Sequence, residues 1–202
     1  MKKCNKFRKL LFVMVASAII LLPAFLSAQD YKKRISEGVG FERKAAQNTY
    51  VLIEQGYNYL AYNNANQLMI YESTFSDKLP YGKSPVTFSN FRVLDTLVFK
   101  IITPHFKKYS SPRWSDDIVS FGVVLYADLE GNVKEVDFSF PIDSKLPLTA
   151  IERLENAILE KNLKVELNHP VDSYYYRNAI WVEFDTNYPV SYLKRGTRQK
   201  ME

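Results

Sequence analysis

Three carboxylates stand where acid–base chemistry is conceivable. Asp116, beside Asp117, precedes a strand-like run, while Glu183 and Asp185 share one strand face with Trp181. Two carboxylates flanking a sugar are the machinery of glycoside hydrolysis, one protonating the leaving oxygen while the other activates water or attacks directly. A plainer reading competes with it. Glu135, Asp137, Glu183 and Asp185 fill the polar faces of strands whose other faces are apolar, which needs no chemistry to explain. His105 and His169 each adjoin a proline, and no His-x-x-x-His or cysteine spacing supplies partners for a metal. No metal or other cofactor is expected. A G-x-S-x-G nucleophile turn and a phosphate-cradling glycine loop are both lacking.

A second group of residues suits binding. Tyr57, Tyr59, Tyr62 and Tyr71 alternate with Asn58, Asn63, Asn64 and Asn66. Together they offer stacking faces and amide hydrogen bonds to a glycan or a peptide. Tyrosine is also a good strand residue with a polar tip, so sheet packing accounts for the same pattern.

The elements that must position these groups are legible from periodicity. Tyr50–Ile53 and Tyr57–Tyr62, split by Gly56, read as a hairpin, with Leu68–Tyr71 as a further strand after an Asn-rich turn. Residues 29–49 are a polar lead-in with a helical turn near 42–47, and residues 76–88, with Pro80, Gly82 and Pro85, are a loop. Leu94, Leu97, Val98, Ile101 and Ile102 recur at spacings of three and four, the stripe of a core-packed helix. Ser89 or Asn90 is placed to cap it, and Pro104 to end it.

Val119, Phe121, Val123 and Leu125 then alternate along a strand, and Val136, Phe138 and Phe140 along its partner after the turn Asp128–Asn132. That period of two marks a sheet covered on one side. A second helix spans about Ala150–Lys161, with Thr149 and Glu152 as a capping box and Ile151, Leu154, Ala157 and Ile158 as its buried stripe. A last strand follows over Ala179–Asp185.

The front of the chain bears on all of this. Lys2, Lys3, Lys6, Arg8 and Lys9 precede an apolar run, Leu10–Phe25, and Leu26-Ser27-Ala28 ends it with small residues. That is the pattern of an export signal, with cleavage between Ala28 and Gln29. The protein is therefore expected in the periplasm or outside the cell, and at a membrane only through an uncleaved signal. Five of the 27 Lys and Arg residues, and none of the 22 acids, precede residue 29. Without them the chain is formally neutral, which removes the case for a nucleic-acid partner. The single cysteine, Cys4, goes too, and with it disulfides, thiolate catalysis and cysteine metal ligation.

The order strand, Asp128-x-x-Gly131-x-Val133 turn, strand, helix, strand over residues 118–186 resembles the C-terminal domain of TonB and its relatives, and Ile180–Phe184 looks like that family's last strand. The chain departs from the family in its late Pro170 and in having no Pro-rich linker. More broadly it is similar to secreted proteins of Bacteroidota. The resemblance implies an edge strand able to pair with an extended protein segment.

The expected organisation is a signal (1–28), a polar and strand-rich segment (29–88), a helix plus TonB-like domain (89–190) and a basic tail (191–202) with Lys194, Arg195, Arg198 and Lys200. The fold class is α+β, an antiparallel sheet with two helices mainly on one face. The expected function is a non-catalytic binding or interaction module whose partner is an extended protein segment or a glycan. A small hydrolase of glycan or peptidoglycan using Asp116, Glu183 or Asp185, and a carbohydrate-binding module using the tyrosines, are the alternatives.

Overall fold

The computed structural model describes residues 40–68, 85–171, 176 and 179–196. The expected export signal with its cleavage point, Tyr71 and the outer part of the expected basic tail lie outside these residues. Six strands form one antiparallel sheet: β1 (Gly40–Lys44), β2 (Thr49–Gln55), β3 (Asn58–Asn63), β5 (Ser120–Ala127), β6 (Val133–Pro141) and β8 (Val182–Pro189). Their spatial order is β1-β2-β3-β6-β5-β8, so β1 and β8 are the edges. Two short strands, β4 (Val86–Thr87) and β7 (Glu166–Leu167), pair separately.

Among the described residues four helices accompany the sheet: α1 (Phe91–Ile101), α2 (Thr103–Phe106), α3 (Leu148–Glu160) and α4 (Val190–Arg195). Leu94, Val98 and Ile101 of α1 and Ile151, Leu154 and Ile158 of α3 join one buried cluster with Phe121, Val123 and Leu125 of β5 and Val136 and Phe138 of β6. Phe106 of α2 and Val190 and Leu193 of α4 join the same cluster. All four helices thus cover the face on which those strand residues alternate, called the inner face below. The α+β expectation holds, with two short helices beyond the two anticipated.

Local physics explains most boundaries. In the β5–β6 turn, Asp128 accepts N–H bonds from Glu130 at 3.0 Å and Asn132 at 2.9 Å, and its carboxylate sits 3.2 Å from Lys134. Gly131 has φ 80° and lies so close to the Val165 carbonyl that any Cβ would collide with it. Its own carbonyl accepts the Val165 N–H at 2.8 Å, tying the turn to the segment after α3.

Several expectations move. The helical turn expected near 42–47 does not form: Gly40–Lys44 is β1, an edge, where backbone pairing with β2 needs no apolar alternation, and residues 45–48 make the bend between the two strands. The last strand starts three residues late and runs to Pro189, leaving Ile180 exposed ahead of it. Asn90 precedes α1 without a side-chain cap bond, and α3 begins after Pro147, so Thr149 and Glu152 form no capping box. Lys194 and Arg195 belong to α4 rather than to a tail, and Val86–Thr87 pairs within what reads as loop.

Candidate binding cleft

Three chain segments meet at one end of the sheet. The β2–β3 hairpin turns through Gly56 (φ 61°) and presents Tyr57. The Tyr57 carbonyl accepts the Ile142 N–H at 3.0 Å, which fixes this hairpin to the 3-10 turn Ile142–Ser144 carrying Asp143. The third segment follows α2. There Ser111 Oγ accepts N–H bonds from Arg113 at 3.4 Å and Trp114 at 3.3 Å, closing a local turn in the backbone that carries both side chains.

Between these segments lies a cleft of about 470 Å³, the size of a small-ligand site. Tyr57 and Trp114 line it with ring centroids 5.6 Å apart, edge to face, and remain 54% and 43% exposed. The Arg113 guanidinium stands 5.5 Å from the Tyr57 ring centre. Pro112, Ile118 and Ile142 supply apolar wall, and Asn58 and Asp143 supply polar edge. Tyr109 donates its hydroxyl to Asp143 Oδ1 at 2.8 Å, and its ring packs edge-on against Phe106. Burial, then the Asp143 carboxylate, pushes the Tyr109 phenol up to about 12, so it remains a donor at physiological pH. The cleft combines an apolar floor with donors (Arg113, Asn58) and an acceptor (Asp143), an arrangement suited to recognition.

Elsewhere carboxylates are committed to structure. Glu152 of α3 accepts the N–H groups of Ala46, Gln47 and Asn48 at 2.8, 2.8 and 2.7 Å, clamping the β1–β2 turn to the helix. Burial alone would raise its pKa, but the three backbone donors outweigh burial and hold the carboxyl below its ordinary range. One turn on, Glu155 accepts a bond from the Tyr50 hydroxyl and bonds from the side-chain amides of Asn63 and Asn48. Burial raises Glu155 in spite of those donors, and burial with the Glu155 contact raises Tyr50 as well.

Asp137 lies on the outer face of the sheet, wholly buried. Asn66 donates to its Oδ1 at 3.1 Å, while Oδ2 has no hydrogen-bond partner among the described residues. Burial pushes this carboxyl up to about 7, Glu135 and Glu155 add to the rise, and the hydroxyl of Tyr126 and the amide of Asn66 oppose it.

No protein-family model matches the chain, and no curated protein does. Among solved structures it is similar to the crystal structure of a DUF5043 family protein from Bacteroides uniformis. That alignment covers 74% of this chain and 85% of the other at 16% identity, with a TM-score of 0.49.

Of the four tyrosines read as a binding set, three are described, and of these the structure brings only Tyr57 to the cleft. Tyr59 points to the inner face, edge-on to Phe41 and Phe140, and Tyr62 is buried on the outer one. Asp116 pairs with Lys194 at 2.6 Å beside α4, near the end of β8 opposite Glu183. Glu183 and Asp185 project from β8 on the outer face, where burial and then Asp185 raise the Glu183 carboxyl. None of these three carboxylates lines the cleft. His105 is exposed on α2, and His169 lies 6.5 Å from the Tyr176 ring. Among the described residues, no group of three or more His, Cys, Asp or Glu is arranged to hold a metal, and no helix is long and apolar enough to cross a membrane.

Trp114, Arg113, Tyr109 and Asp143 escape sequence reading, because they come from loops with no shared spacing. The available signal was a tryptophan beside an arginine in a Ser/Pro-rich break, Ser110-Ser111-Pro112-Arg113-Trp114.

Proposed function

We propose that this chain is an exported, non-catalytic binding module that holds a glycan in the cleft between Tyr57 and Trp114. The observation that supports this is the exposed aromatic pair over a bounded cavity. Large rings left half in water at the mouth of a cleft leave apolar surface for a ligand to cover. A pyranose ring has one C–H-rich face that packs on an aromatic plane and a rim of hydroxyls that must be hydrogen-bonded. Tyr57 and Trp114 meet the first need; Asn58, Arg113 and Asp143 meet the second. Those polar groups include both donors and an acceptor, as hydroxyls require.

The test is a glycan array followed by calorimetric titration of any hit against the wild type and Trp114→Ala. Binding that weakens about tenfold or more in the variant is expected. An array silent across plant, animal and bacterial glycans would remove the proposal.

A second reading rests on β8. This edge strand pairs only with β5 in the sheet, and it closes the β-β-α-β segment likened to TonB. An extended segment of a partner protein could add to such an edge through main-chain hydrogen bonds. If Glu183→Pro and Asp185→Lys left every captured partner in place, this reading would be lost.

A further inference from the structure

Among the described residues Arg113 is the one cation lining the cleft, and its setting goes beyond generic sugar recognition. Its guanidinium stands 5.5 Å from the Tyr57 ring centre, and no ion pair joins it to a carboxylate of the described residues. By contrast Lys194, in α4, is neutralised by Asp116 at 2.6 Å. The carboxylate within the cleft, Asp143, is occupied on Oδ1 by the Tyr109 hydroxyl. The backbone of the loop carrying Arg113 is tied by the two N–H bonds to Ser111 Oγ, and the guanidinium lies over the Tyr57 ring at the cleft.

We propose that the ligand is an acidic glycan whose uronic-acid carboxylate is bound by Arg113 while its ring packs on Tyr57 and Trp114. This rests on the glycan reading above and narrows it. The planar guanidinium matches a carboxylate with two parallel N–H···O bonds, and stacking on Tyr57 pre-orients that fork. A neutral sugar uses Arg113 only as one hydroxyl donor. A carboxylated sugar gains a charge-assisted pair at the edge of an apolar cleft, where screening by water is reduced.

The experiment compares uronate oligosaccharides (oligogalacturonate, oligoalginate and hyaluronan fragments) with their methyl esters, which keep ring and length but lose the charge. Titrations use the full protein, its Arg113→Gln variant and its Arg113→Lys variant, with thermal unfolding checking that each variant folds. The expected result is at least one uronate binding about tenfold tighter than its ester, a preference that weakens with added salt. In Arg113→Gln the uronate-to-ester ratio should fall toward one, and Arg113→Lys should keep part of it. Equal binding of acid and ester, or an undiminished preference in Arg113→Gln, overturns the proposal while leaving the glycan reading in place. Binding of neutral glycans alone does the same. Binding of no glycan at all overturns both.

Discussion

Two tyrosine–carboxylate pairs set two regions of this molecule apart. Tyr50 donates to Glu155 where the β2–β3 hairpin meets α3, and Tyr109 donates to Asp143 at the rim of the cleft. Around Glu155 the side-chain amides of Asn48 and Asn63 add further donors, and neighbouring Glu152 is filled by three backbone N–H groups. Around Asp143 one oxygen is taken and the carboxylate remains exposed, next to two half-exposed rings and Arg113, which has no ion pair among the described residues. The chemistry is the same, but the environments do opposite work. Carboxylates buried among donors stiffen a fold, while one left at the edge of an apolar cleft is free to meet a ligand.

The comparison can be broken first at the clamp, where the largest effect is expected. Glu152→Ala should lower stability by about 3 kcal/mol, read as a shifted urea midpoint, since it strips a charged acceptor from three donors. Ligand affinity should barely move. If affinity collapsed while the fold held, the clamp would belong to the site after all.

Asp137 lies between the two cases, buried like the clamp yet with an oxygen lacking a partner among the described residues. Its folded pKa of about 7 stands above the unfolded value near 3.8, so the native state binds the extra proton between them. Its contribution to stability is therefore fully present below about pH 4 and is lost as pH rises toward 7. Asp137→Asn, which mimics the neutral acid, should flatten that decline in a series of unfolding curves. A decline of unchanged slope would assign it to other groups.

At the cleft the signs reverse. Trp114→Ala should change stability by less than about 0.5 kcal/mol, as a half-exposed side chain does, while weakening glycan binding about tenfold. A large loss of stability would move Trp114 from the binding surface to the packing. The smallest effect is expected for Tyr109→Phe, which frees Asp143 of its one side-chain donor at a cost of about 0.5–1 kcal/mol. It should alter ligand affinity only a few-fold.

How much of this was legible from the residues follows the range of the interactions. β5, β6, α1 and α3 advertise themselves through local periodicity, because their apolar residues face a single covered side. β1 does not: Phe41-Glu42-Arg43-Lys44 is strand because β2 offers it a backbone ladder, a fact carried by another segment. The same holds for Glu152, which resembles a capping residue in sequence and instead binds a turn 106 positions away from it at Ala46. In the cleft, Tyr57 was visible as an aromatic beside a glycine turn. Its partners were not, since Arg113, Trp114 and Asp143 become neighbours only when the loop after α2 and the end of β6 are brought to the same end of the sheet.

The strand order has a consequence for how the chain assembles. β3 joins the rest of the sheet only through β6, pairing Asn58 with Pro141 and Tyr62 with Asp137. The early hairpin is therefore a fragment with an open edge until the chain has been made at least as far as Pro141, and the β1–β2 turn before it is not pinned until α3 follows. Such late, long-range closure makes for slow folding. Until then the Tyr50–Tyr62 segment presents an unpaired strand to its surroundings, and whatever keeps that edge from pairing with a neighbour decides how much native protein is recovered.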